Sequence, residues 1–180
     1  MAKSIEYKEI KKILLSEIKG KRNLNVLEIG CGGKVYKNLF LDHKYQGLDM
    51  INSKWTLKED PPEIITKFSN FKSENNYNLI FAVTTLSMFD NEDLNNLIQI
   101  ININKNNYLK FFFFDWKEKI ILKNPIISNR QYNNYKEKLS KSFKNNISIL
   151  DNEWCSENLI KKKVKETFNM GISQIIKIEF

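Results

Sequence analysis

Histidine occurs once in this chain, at His43, and cysteine only twice, at Cys31 and Cys155. Two cysteines are too few for a disulfide framework, so a reducing compartment, the cytoplasm, is expected. His43 lies in a lysine-rich loop and reads as a solvent residue rather than a base, and no metal site is expected. No stretch approaches the ~20 apolar residues that a membrane helix needs. The apolar patch Phe111 to Phe114 is closed by Lys110 and Asp115. The opening residues, MAKSIEYKEIKK, lack the continuous apolar segment of a secretory signal. Internal repeats and low-complexity linkers are absent too, which leaves no domain boundary to draw.

Arginine is also scarce. Of 29 basic residues 27 are lysine, and the net charge is +8. Such a charge invites a nucleic-acid partner, because lysines that neutralise phosphates release counterions. Dedicated readers of bases and phosphates lean instead on the bidentate fork of arginine. Asparagine and isoleucine are frequent as well, as A/T-rich codons produce. Nucleic acid is therefore kept as an open partner but not the favoured one, since net charge bears on non-specific association rather than on fold.

With 42% hydrophobic residues and 12% aromatics, the 180 residues suit one folded domain spanning 1–180. A chain of this length buries roughly 70% of the surface it exposes when unfolded. Ser4 can cap a helix to about Lys19, with Ile10, Ile13, Leu14 and Ile18 as its buried stripe and Gly20 ending it. Strands are expected from Asn25, at Tyr45 to Leu48, Glu63 to Phe68, Tyr77 to Val83, Tyr108 to Phe114, Ile147 to Leu150 and Ile172 to Phe180. Between the first two, Tyr36, Leu39 and Phe40 are spaced to share a helical face. Pro61-Pro62 abbreviates the next crossover. A helix begins at Asn91, with Leu94, Leu97, Ile98 and Ile101 as its stripe. Two more carry Tyr132, Tyr135, Leu139 and Phe143, and, after Ser156, Ile160, Val164 and Phe168. The lysine run 161–165 reads as the solvated face of that last helix. Alternation of this kind predicts an α/β fold with a mostly parallel sheet covered on both faces. Ligands of such sheets bind outside the carboxyl ends of the strands.

That rule draws attention to NVLEIGCGGKVYKNLFLDHKYQGLDM, from Asn25 to Met50. It reads as strand, glycine turn, amphipathic segment, second strand and Asp49. An acid about 20 residues beyond such a turn is where an α/β sheet holds a ribose. The dinucleotide fingerprint GxGxxG fits poorly, because its third glycine falls on Val35. An acid two residues before the first glycine, as in Glu28-Ile29-Gly30-Cys31-Gly32, resembles the first motif of class I S-adenosylmethionine-dependent methyltransferases. GCGGKVYKNLF followed by YQGLDM is similar to the subset with GCGxKxYxxLF and then YxGxD, many of them associated with glycan or small-molecule methylation.

The resemblance implies a single Rossmann-like methyltransferase domain, with a seven-stranded sheet whose last strand is antiparallel. It implies S-adenosyl-L-methionine as cofactor. Gly30, Cys31 and Gly32 would pass under the methionine part, and Glu28 would orient its amino group. Asp49 would accept from both ribose hydroxyls, Met50 would pack on the adenine, and the backbone at Phe68 and Ser69 would meet its edge. Ala82, Val83 and Thr84 would line the methionine end. Acceptor contacts are expected from Tyr36, Ser87, Asp115, Trp116 and Arg130, the last in the segment 117–146, which departs most from simple alternation. Tyr36 by its spacing also fits the core.

Three features depart from the family pattern: Lys67 at the end of strand three, Tyr77-Asn78 where Phe-Asp is common, and Ser87-Met88 in place of a Glu-His pair. An inward lysine would oppose the sulfonium charge, so Lys67 is expected to snorkel outward. No catalytic residue is assigned; Asp90 and Asp115 are candidates by position, and Asp90 can equally cap the next helix. The expected activity is methyl transfer to a small-molecule or saccharide-type acceptor at oxygen or nitrogen. A non-catalytic module of the same fold that binds the cofactor or a partner, and an RNA-modifying enzyme, are the alternatives. A nicotinamide-dependent oxidoreductase is disfavoured by the Glu28 motif and the missing third glycine.

Overall fold

Along the first strand Val26, Leu27, Glu28 and Ile29 are all buried, although successive strand residues point to opposite faces. A strand with no solvent face needs cover on both sides, and the structure supplies it. The computed structural model describes residues 5–50, 58–73, 76–107, 110–115, 135–151 and 174–180. Its main elements are α1 (Ile5–Ile18), β1 (Asn25–Ile29), β2 (Lys44–Asp49), β3 (Ile64–Ile65), β4 (Leu79–Val83), α2 (Asn91–Asn104), β5 (Lys110–Asp115), α3 (Tyr135–Ser142), β6 (Ile147–Asp151) and β7 (Gln174–Glu179). The sheet runs β3-β2-β1-β4-β5-β7-β6. Every pair among β1 to β5 is parallel, and β7 is antiparallel to both its neighbours. The expected seven strands and antiparallel last strand are both present.

Ile10, Leu14 and Ile18 of α1 pack with Val26, Leu79, Phe81, Phe112 and Ile175 on one face. Leu94, Leu97, Ile100 and Ile101 of α2, with Tyr135 and Leu139 of α3, pack with Leu27, Ile80, Phe111, Phe113, Ile176 and Ile178 on the other. The helix beginning at Asn91 carries a capping box: Asp93 N donates to Asp90 Oδ1 at 2.9 Å, and Asp90 N to Asp93 Oδ2 at 3.2 Å.

Three elements and one side chain differ from expectation. The segment holding Tyr36, Leu39 and Phe40 forms turns around a single 3-10 helix, Lys37–Leu39, rather than an α-helix. Its side chains still serve the core, with Tyr36 and Phe40 buried, so the spacing marked burial without enough length to propagate a helix. The third strand is two residues long, because Glu63 is drawn towards the glycine turn and Phe68–Asn70 forms a 3-10 helix tied down by Asn96, whose Nδ2 donates to the carbonyls of Phe68 and Phe71 at 2.6 and 2.8 Å. The fourth starts at Leu79, after Asn78 has bridged its neighbours: Asn25 N donates to Asn78 Oδ1 at 2.9 Å, and Asn78 Nδ2 to Asn107 O at 3.2 Å. Asparagine thus supplies a donor as well as an acceptor where the family pattern has an acid. His43 is half-buried rather than solvated, and its Nδ1 accepts from Leu24 N at 3.2 Å. The cap at Ser4, Tyr132 and the final helix from Ser156 lie outside the described residues.

Candidate functional site

The carboxyl ends of β3, β2, β1, β4 and β5 are neighbours along one rim. At the end of β1 the chain turns sharply: Gly30 N and Cys31 N both donate to Leu48 O of β2, at 2.8 and 3.1 Å. Gly30 and Gly32 have φ of +68° and +49°, in the left-handed region that suits glycine. A Cβ on Gly30 would lie 2.3 Å from Thr85 Oγ1, so the loop after β4 closes directly onto the turn. Thr85 Oγ1 also lies within hydrogen-bond reach of the Ile29 and Val83 carbonyls, at 3.2 and 3.0 Å.

Asp49 ends β2 beside this turn. Gly32 N donates to its Oδ2 at 2.8 Å and Met50 N to its Oδ1 at 2.7 Å. Each carboxylate oxygen therefore holds one backbone N–H and keeps lone-pair capacity for another donor. Glu28, 2% exposed, lies one strand away and accepts from the Tyr45 hydroxyl. Burial pushes the Glu28 carboxyl up to about 8, against the lowering hydrogen bond from Tyr45, and the charges of Asp49 and Glu63 add to the rise. Burial and then the same carboxylates push the Cys31 thiol up to about 12, which makes it an inert filler. It fills a specific gap, since a Cβ on Gly47 would come within 2.7 Å of Cys31 Sγ.

One part of this site was not anticipated from the sequence. Lys34, two residues past Gly32, has φ of +48° and a side chain that is only 1% exposed. Its ammonium donates to Asp60, to Pro61 O at 2.5 Å and to Glu63 Oε1 at 2.9 Å. Lys37 Nζ joins from the 3-10 turn, 2.9 Å from Asp60 Oδ1. Glu63 Oε2 in turn accepts from Gly47 N at 2.8 Å. Burial opposes the charge on Lys34, but hydrogen bonds to Asp60 and Glu63 outweigh it and hold the ammonium above the ordinary lysine value. Hydrogen bonds from Lys34 and then Lys37 hold Asp60 below the usual carboxylate range. The sequence cues were a lysine directly after a glycine pair and acids on both sides of Pro61-Pro62.

The other anticipated residues separate into groups. Met50 is 52% exposed beyond β2, Ile65 is 49% exposed on β3, and Met88 is 42% exposed beyond β4, so apolar surface lies open at three strand ends. The Phe68 ring stacks on Phe89 at 4.8 Å and belongs to the core. Ser69 N donates to Asp93 Oδ1 at 2.8 Å, so that backbone donor is already engaged. Ala82 is buried on the α2 face, Val83 is half-buried, and Thr84 turns the chain with φ of +55°. The Tyr36 ring is 5% exposed, stacked on Tyr7 at 5.3 Å and edge-on to Phe81, so it is a packing residue. Ser87 is half-buried in the 3-10 turn Leu86–Met88. Asp115 closes β5 opposite Gln174, while Trp116 and Arg130 lie outside the described residues. Lys67 Nζ is paired with Asp90 Oδ2 at 2.9 Å and Glu92 Oε2 at 3.3 Å at the start of α2, so its charge is matched by two carboxylates. Among the described residues no cluster of His, Cys, Asp and Glu could hold a metal, and no helix is long and apolar enough to cross a membrane.

No protein-family model matches the chain, and no curated protein sequence does. Solved structures do. The methyltransferase domain of bacterial CtHen1-CN matches with a TM-score of 0.57 at 11% identity, covering 97% of this chain and 100% of that one. The plantazolicin methyltransferase BpumL, in complex with a pentazolic desmethylPZN analog and SAH, matches with a TM-score of 0.57 at 14% identity, covering 97% and 84%. The N-methyltransferase NodS from Bradyrhizobium japonicum WM9, in complex with S-adenosyl-l-homocysteine, matches with a TM-score of 0.56 at 11% identity, covering 99% and 89%. At these identities the likeness is one of fold: a seven-stranded, Rossmann-like methyltransferase architecture.

Proposed function

We propose that this chain binds S-adenosyl-L-methionine and transfers its methyl group to a small-molecule or saccharide-type acceptor at oxygen or nitrogen. The observation that carries the reading is the Asp49 carboxylate, fixed by Gly32 N–H at the end of β2 with lone pairs left over. A ribose diol offers two hydroxyl donors at the spacing of a carboxylate's two oxygens, which is the complement of that arrangement. The surroundings fit the rest of the ligand. Asp49 and Glu63 stand near Glu28, whose buried carboxyl holds its proton below about pH 8 and would ionise against the cofactor's ammonium. Met50, Ile65 and Met88 offer exposed apolar surface that a purine can cover. Neighbours in fold hold S-adenosylhomocysteine.

When bound, the cofactor supplies an electrophilic methyl group on a positively charged sulfur. The chain's own task is then orientation, which can contribute roughly 7–11 kcal/mol to such a barrier. Gly30 and Gly32 keep the backbone low beneath the ligand, Asp49 holds the ribose, and Glu28 faces the amino end. On the rim Ser87 and Met88 stand where the family pattern has a Glu-His pair, and Asp115 at the end of β5 is the candidate base by position. Calorimetric titration with S-adenosylhomocysteine, S-adenosylmethionine and NAD tests the reading. Micromolar binding of the two sulfur nucleosides, weakened roughly tenfold or more in Asp49→Ala, is expected for loss of hydrogen bonds to a charged group. Binding of NAD alone would overturn it.

One observation favours a second reading. A quarter of the small RNA methyltransferase HEN1 matches 96% of this chain with a TM-score of 0.53 at 14% identity, and this chain carries a net charge of +8. An RNA acceptor would reveal itself by affinity that falls steeply with salt.

A further inference from the structure

We infer that Lys34 is a positioning residue for Asp49, setting the carboxylate for a ribose through the turn they share; the inference rests on the function proposed above. Three connections carry it. Lys34 lies two residues beyond Gly32, and its own φ of +48° puts it in a conformation that side chains larger than glycine seldom adopt. A residue held there needs anchoring, and its side chain is the anchor, with Asp60, the Pro61 carbonyl and Glu63 around the ammonium. The same Glu63 reaches Gly47 N at 2.8 Å, two residues before Asp49 on β2. One ammonium therefore ties both ends of a short loop of contacts: the turn that presents Gly32 N–H, and the strand that presents the carboxylate receiving it. Cys31 seated over Gly47 closes the same loop by packing. If the anchor is lost, only two backbone bonds, Lys34 N to Cys31 O at 2.8 Å and Lys37 N to Lys34 O at 3.1 Å, are left to hold Lys34 in the left-handed region, and the Gly32 donor can shift from its place against Asp49 Oδ2.

A residue that merely stabilises the fold would weaken every ligand alike; one that acts through Asp49 must act on the ribose. The test uses the full chain and two probes, S-adenosylhomocysteine and its 2′-deoxy analogue, titrated into wild type, Lys34→Met, Asp49→Asn and the double variant. Wild type is expected to prefer the ribose form by roughly tenfold, the worth of one hydrogen bond to a charged group. Lys34→Met should erase most of that preference, and in the Asp49→Asn background it should cost little more. Glu63→Gln, which keeps the side chain's shape and removes the charge facing Lys34, is the second probe of the anchor should Lys34→Met not fold, and should lower the preference in the same direction. Equal weakening of both ligands, or full additivity of Lys34→Met with Asp49→Asn, overturns the inference. A wild-type protein that binds neither probe overturns the underlying function, and the inference with it.

Discussion

The hydroxyl of Tyr45 donates to the carboxyl of Glu28 across adjacent strands, in a space where Glu28 is 2% exposed. Burial, opposed by that bond, moves the carboxyl from 4.5 to about 8. In that interval the unfolded chain has released a proton that the native one retains. Stability from this group is therefore complete at low pH and falls as pH rises towards 8, by up to about 1.4 kcal/mol per pH unit. Thermal unfolding followed across this interval should show the decline in wild type and lose it in Glu28→Gln. Parallel pH profiles for the two proteins would contradict the burial argument.

Ligand affinity should respond with the opposite sign. An amino group beside Glu28 favours the ionised carboxylate, so S-adenosylhomocysteine should bind more tightly above pH ~8 than below it, with a proton released on binding. Calorimetry in buffers of different ionisation enthalpy measures that proton directly. Glu28→Gln should bind without pH dependence in this range, and an unchanged profile would remove Glu28 from the amino end.

Gly30→Ala combines a left-handed φ of +68° with a Cβ placed 2.3 Å from Thr85 Oγ1. Strain of this kind costs of order 1–3 kcal/mol for the backbone alone. Urea unfolding should show a loss in or above that range. Adding Thr85→Ala should recover part of it, since Oγ1 and Cγ2 leave while Cβ remains at 3.1 Å. No recovery would place the whole penalty in the backbone.

Asp90→Ala should cost about 1 kcal/mol, the usual worth of an N-cap. Its capping box and its pairing with Lys67 account for both oxygens without involving a reacting group. Methyl transfer and ligand affinity at a temperature where the variant is folded should match wild type. A loss of turnover without a loss of stability would instead return Asp90 to the list of candidate bases.

Cys31 should resist thiol reagents in the native state. It is 4% exposed and its thiol is pushed up to about 12. In a Cys155→Ser background, labelling should follow global unfolding by denaturant rather than pH. Rapid native-state labelling would show that the turn opens.

What could be read in advance followed physical regularity. β1, β4 and β5 stood out because strands covered on both sides must be apolar throughout, and Phe111 to Phe113 admit little else. The place of Asp49 beside the glycine turn follows from its distance from the glycines, which the strand–turn–strand geometry dictates. The Lys34 anchor was not, because Lys34, Asp60 and Glu63 belong to no common period and meet only when the segment before β3 folds against the turn. Tyr36 and Phe40 were correctly spaced for burial yet too few to make a helix, so periodicity described which side chains go inward and not the backbone that carries them.

The place of β7 between β5 and β6 has a consequence for how the chain is made. During synthesis β1 to β5 can pair as soon as they leave the ribosome, since each adds beside a strand already formed. β6 cannot. Its neighbour in the sheet is Gln174–Glu179, the last of the described strands in chain order. At roughly 5–20 residues per second, Ile147–Asp151 waits one or more seconds with both edges open. During that wait the outer edge of β5 is also unsatisfied, and a premature β5–β6 pairing would shut β7 out. Refolding from denaturant, where all strands are present from the start, should therefore be less prone to this trap than synthesis.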